Sequence, residues 1–154
     1  MCHESLSVKR REDLEVPNIE ILWAELRIHN NKILLAVVYR PPNSRVSFWD
    51  HLEESLELAY ASGIGNVMIV GDLNADPSTS HGNKLRQFCS YHNLSIHVRE
   101  PTRITEHTST CLDQILSNRP DIVKSISVTP PVSDNDHCTV SARLLFRIKR
   151  EPVL

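Results

Sequence analysis

Apolar and polar residues roughly alternate from residue 19 to 28, then run almost wholly apolar from 33 to 39, with Asn30-Asn31 between. A period of two marks a strand with one buried face, and a short continuous apolar run marks one buried on both. With a turn dipeptide between them, the pattern predicts a β-hairpin. Pro41-Pro42 must end its second strand, because proline cannot donate to a ladder. The period then becomes helical. Ser47 is placed to cap a helix with Phe48, Leu52, Leu56 and Ala59 on one face and Glu53, Glu54 and Glu57 on the other, and Gly63 lies past its end. A strand at 66–70 follows, then a second helix over 83–92 that buries Leu85, Phe88 and Cys89 and stops at Asn93. Strands are predicted at 94–98, 111–116, 122–128 and 138–146, with a loop opening at Pro101-Thr102-Arg103. Residues before about Val16 are polar and carry no usable period. The order β-β-α-β-α-β-β-β-β predicts one α/β domain of mixed sheets flanked by helices.

A chain of 154 residues can bury one real core but not comfortably two. With 40% hydrophobic and 23% charged residues the composition is that of an ordinary globular protein. Neither a membrane-length apolar run nor the apolar centre of a signal peptide is present. Cys2, Cys89, Cys111 and Cys138 lie far apart, which reads as reduced thiols in an intracellular protein. Zinc held by Cys89, His92 and Cys138 fits no closed tetrahedral spacing. A net charge of −2 supplies no overall basic field, so charge neither supports nor excludes a nucleic-acid substrate. The local clusters Lys9-Arg10-Arg11 and Arg143, Arg147, Lys149 and Arg150 read as solvated ends. No small-molecule cofactor is evident, and the oligomeric state is open.

The stretch from Val67 to Asn74 carries the sharpest chemical signal. An apolar run ends in Gly71 and presents Asp72 and Asn74, two residues apart, which an extended backbone would point the same way. A carboxylate beside an amide suits a hard cation or a water to be oriented, although a strand ending in a polar turn would look the same. Three further clusters stand at strand ends. Tyr39-Arg40-Pro41-Pro42-Asn43 ends the apolar strand, Asp113 sits inside the run 111–116, and 133–138 carries Asp134, Asp136 and His137 into the last strand. A carboxylate in an apolar run is costly unless paired or ligated, and His137 is its natural partner.

Taken in order, these four motifs resemble the endonuclease/exonuclease/phosphatase superfamily, from about residue 18 to 145. The spellings at 39–43 and 101–103 resemble its non-LTR retrotransposon branch, the endonuclease domain of reverse-transcriptase polyproteins. That resemblance implies a two-sheet α/β/β/α sandwich and metal-dependent phosphodiester hydrolysis, most specifically DNA nicking in the nucleus. It implies that Tyr39 holds the scissile phosphate and that Asp72 activates or positions the attacking water. Asn74 would orient water and phosphate, and His137 would bond a phosphate oxygen while Asp113 orients it. Asp136, with Asp72 and Asn74, would hold Mg2+ or Mn2+, and Asn43, Arg103 and Thr105 would face substrate. Asp134 is the alternative to Asp136, since the family has Ser directly before Asp-His where this chain has Asn135.

The family's early strands bear an Asn and a metal-binding Glu, and both precede the segment matching 19–28. Only the polar segment 1–17 stands there, so the resemblance implies a partial domain over 18–147, lacking the first strands, with a tail at 148–154. It further implies a weakly held metal and a weakened or lost activity. The alternative is a catalytically inactive relic or a non-enzymatic binding module that keeps part of the fold.

Overall fold

A computed structural model describes residues 6–146. Its centre is a six-stranded sheet in the order β1-β2-β3-β4-β8-β5, built from β1 (Leu6–Arg10), β2 (Glu20–Ile28), β3 (Asn31–Tyr39), β4 (Val67–Asp72), β8 (Asp113–Ser117) and β5 (Ser95–Ile96). Helices α1 (Ser47–Ala61) and α2 (Asn83–Tyr91) cover one face. There Leu52, Leu56 and Leu85 meet Trp23, Leu34, Ala36 and Ile69 in one buried cluster. A polar node crosses this layer: Trp23 Nε1 donates to Ser55 Oγ at 2.8 Å, and Ser55 donates to the Leu14 carbonyl at 2.6 Å. The opposite face meets a second sheet of β9 (Val123–Thr129) and β10 (Thr139–Leu144). Because β3 alternates, Leu34, Ala36 and Val38 face the helices while Ile33 and Leu35 face the second sheet. Three layers therefore stand among the described residues: helices, large sheet, small sheet.

The predicted hairpin is β2 with β3, paired antiparallel from Glu20↔Tyr39 to Ile28↔Asn31. A parallel crossover through α1 then brings β4 beside β3, Leu34↔Val67 to Tyr39↔Asp72. Several local expectations are corrected. The polar segment contributes β1, whose five residues are all exposed, so its pairing to β2 rests on backbone bonds that leave no hydrophobic period. Only the start of β3 is buried on both faces; Val37 and Tyr39 are 49% and 43% exposed. Ser47 is the first helical residue of α1, Val46 takes the cap position, and no side chain caps it. The strand expected at 94–98 is reduced to Ser95–Ile96. The loop at 101–103 opens a small hairpin, β6 (Arg103–Ile104) with β7 (Ser109–Thr110). His92 is buried and bonded to Glu53 at 3.0 Å. Cys89 and Cys111 are buried free thiols, pushed up to about 12 and about 11 by that burial. The tail 148–154, Cys2 and the cations Arg147, Lys149 and Arg150 lie outside the described residues.

Candidate active site

Strand register builds the site. Tyr39 of β3 pairs with Asp72 of β4, and Asp72 pairs with Asp113 of β8. In-register residues on neighbouring strands point to one face, so the three form a row along one end of the large sheet. That face is the one turned toward the second sheet, and the row lies at the rim between them. The loop leading into β10 supplies His137. Its Nδ1 lies 2.9 Å from Asp113 Oδ2, and its Nε2 lies 4.0 Å from Asp72 Oδ2. Asp72, Asp113 and His137 thus offer donor atoms all within 4.8 Å of one another.

Each member is held by its neighbours. Thr102, fully buried, donates from Oγ1 to Asp113 Oδ2 at 2.7 Å and accepts from the amides of Leu112 and Asp113 at 3.0 Å each. Its carbonyl accepts the Cys138 amide at 2.6 Å, one residue past His137. Arg40 clamps the other side. Its guanidinium lies over the rings of Phe48 and Trp49 at 5.5 and 5.4 Å and donates to the carbonyls of Leu73, Asn74 and Ser44. Asp76 is buried and accepts from Ser78 and from the Cys111 amide, tying the loop after β4 to the entry of β8. Burial raises its pKa, but these hydrogen bonds outweigh that and leave it below the usual carboxylate range. The sequence pattern by itself assigns no role to Thr102, Arg40 or Asp76. The available signals were the Pro-Thr-Arg spelling and, for Asp76-Pro77-Ser78, the residue types of an Asx turn.

Asn74 departs from the expected geometry. The strand ends at Asp72, and Asn74 sits in the left-handed region at φ +46°, so strand alternation does not set its direction. Its amide N–H donates to Asp72 Oδ1 at 3.0 Å and its side chain donates to the Arg40 carbonyl at 2.6 Å. Asp136 lies apart from the cluster of three. Arg103 Nε donates to it at 2.7 Å and holds its carboxyl below the usual range. Thr105 bonds Thr108 across the β6–β7 turn, and Asn43 is exposed at φ +61° in the loop before α1. Asp134 is exposed in the loop before Asp136.

The electrostatics are those of a strained acidic rim. Asp72 is raised above its ordinary value, first by burial and then by Asp113 opposite, against the Asn74 amide, His137 and Arg103. Two facing carboxylates with an imidazole beside them suit a divalent cation in chemistry. The fit is loose, because Asp113 Oδ2 already serves His137 and Thr102 and Asp136 serves Arg103. Among the described residues, Asp72 Oδ2 and Asp113 Oδ1 accept no hydrogen bond, while Asp72 Oδ1 accepts the Asn74 backbone N–H.

The family model described as endonuclease-reverse transcriptase matches residues 33–141. No curated protein matches the sequence. Among solved structures, the chain is similar to the endonuclease domain of TRAS1, a telomere-specific non-LTR retrotransposon, at 18% identity and a TM-score of 0.77, covering 97% of this chain and 73% of that one. An endonuclease/exonuclease/phosphatase family protein from Leptotrichia buccalis matches at 15% identity and 0.60, over 82% of this chain and 53% of its own. The human Nocturnin catalytic domain matches at 16% and 0.53, over 89% and 59%. These likenesses establish the two-sheet α/β sandwich, and the chain spans just over half the length of the latter two.

Proposed function

The chain belongs to the endonuclease-reverse transcriptase family, and from that premise we propose that its rim hydrolyses a phosphodiester of DNA, leaving a nick. The row Tyr39–Asp72–Asp113 completed by His137 carries this reading. In-line displacement needs an aimed water, charge neutralised on the phosphate oxygens and a stabilised leaving oxygen. In this reading Asp72 Oδ2 orients the water and takes its proton. Asp113 fixes the ring of His137, so that a protonated imidazole donates from Nε2 to a phosphate oxygen. Tyr39 offers its phenol to the same phosphate from the next strand. Asn74 holds Asp72 through its backbone N–H, Arg103 adds positive charge nearby, and Asn43 and Thr105 offer neutral polar groups along the approach. A divalent cation, magnesium or manganese, would be held chiefly by Asp72, and supplies charge neutralisation on the phosphate oxygens. The retroelement likeness supports DNA as the substrate and a nuclear place of action. Among the described residues no helix is long and apolar enough to cross a membrane.

The test is conversion of supercoiled plasmid to open circles in magnesium. Slow, chelator-sensitive nicking is expected, and His137→Ala and Asp72→Asn should each reduce it by about a hundredfold or more, the range of lost general acid–base groups. Nicking no faster than that of His137→Ala would sink the reading.

A further inference from the structure

On the side of Tyr39 away from Asp72, a groove of ≈ 590 Å3 opens between the start of β2 and the entry to α1. Tyr39 and Pro41 give it an apolar wall; Arg45 and His51 give it two nitrogen donors; Asn18 and Glu20 close its far side. Ser47 and His51, four residues apart on α1, both line it, as helical spacing requires. Arg45 is exposed and forms no ion pair among the described residues, so its charge is available to a ligand.

Position gives the groove meaning. Neighbouring strands lie about 4.8 Å apart, so it begins one strand beyond Asp72 and continues past a second. A nucleic-acid strand places a phosphate about every 3.4 Å along its axis. The groove therefore lies where the first few phosphates beside a scissile one would run. A small phosphomonoester held at Asp72 and His137 would not reach it.

We propose that this groove holds the stretch of a DNA strand flanking the scissile phosphate, with Arg45 and His51 on its phosphates and Tyr39 and Pro41 against a sugar or base. Glu20 limits the path, since its carboxylate repels phosphate, and keeps the backbone on the α1 side. The proposal takes its direction from the hydrolytic reading of the rim, but binding tests it separately.

Fluorescence anisotropy of a labelled 20-base-pair duplex, without divalent metal and over a range of salt, reads binding apart from cleavage. Arg45→Ala with His51→Ala should weaken binding about tenfold and make the dependence of log affinity on log salt shallower by roughly 1, the signature of a lost phosphate contact. Equal affinity and slope in wild type and double variant would overturn the proposal. Should that variant not fold, photocrosslinking of a thiothymidine-bearing duplex to wild type decides instead: crosslinks within residues 41–51 support the groove, and crosslinks only elsewhere overturn it. Intact binding without nicking would count against the catalytic reading and leave the groove standing. Nicking by wild type with unchanged binding by the double variant would remove the groove alone.

Discussion

Asp72 and Asp113 face each other across paired strands, and like charges so placed oppose folding. Burial, followed by Asp113, raises Asp72 above its ordinary 3.8. In the window just above that value the folded chain keeps a proton that the unfolded chain has released. Stability therefore falls as pH rises through the window and stays lower above it. Asp72→Asn removes the charge, so at pH 7 it should be more stable by about 0.5–1 kcal/mol, the scale of cross-strand pairs, while activity is lost. The gain should vanish toward pH 3. Thermal melts at both pH values check this, and identical melts at pH 7 would mean that His137 and Arg103 already cancel the repulsion.

At the scale of elements, β4 depends on one glycine. Gly71 sits at φ +142°, and a Cβ there would lie 1.8 Å from the Val38 carbonyl oxygen of β3. Gly71→Ala should destabilise the chain by about 2–3 kcal/mol through strain and overpacking, and displace Asp72 beside it. Urea unfolding checks the first, and a native-like midpoint would refute it. The sequence announced the β2–β3 hairpin, both helices and β4, because their apolar periods reflect burial against a core. It was silent on β1, whose side chains are exposed, and on β6–β7, too short to show a period. The convergence of Asp72, Asp113 and His137 was legible as motifs at strand ends. Thr102 was not legible as a brace, because a buried threonine's hydrogen bonds follow from tertiary position. Nor was the pairing of Asp136 with Arg103, 33 residues earlier in the chain.

For the whole molecule, the small second sheet leaves much of the large one open. Cross-strand partners Leu22 and Val37 are 42% and 49% exposed on the inner face. Beside them an apolar cavity of ≈ 430 Å3 is lined by Leu26, Leu35, Val70, Val140 and Leu144. On one side β10 pairs with β9, and its other edge pairs with no strand among the described residues. Open edges and apolar faces invite association. The 154-residue chain should therefore bind a hydrophobic dye when folded and show a concentration-dependent size in sedimentation. A dye-free monomer with a sharp melt at micromolar concentration would contradict this.

The buried Thr102 joins β6, the start of β8 and the entry to β10 through one hydroxyl and one peptide group. The small sheet cannot swing away without breaking the bonds that orient Asp113 and His137. The amides of Asp113 and Cys138 then belong to one cooperative opening unit, and the lifetime of the assembled site is the lifetime of the sandwich itself.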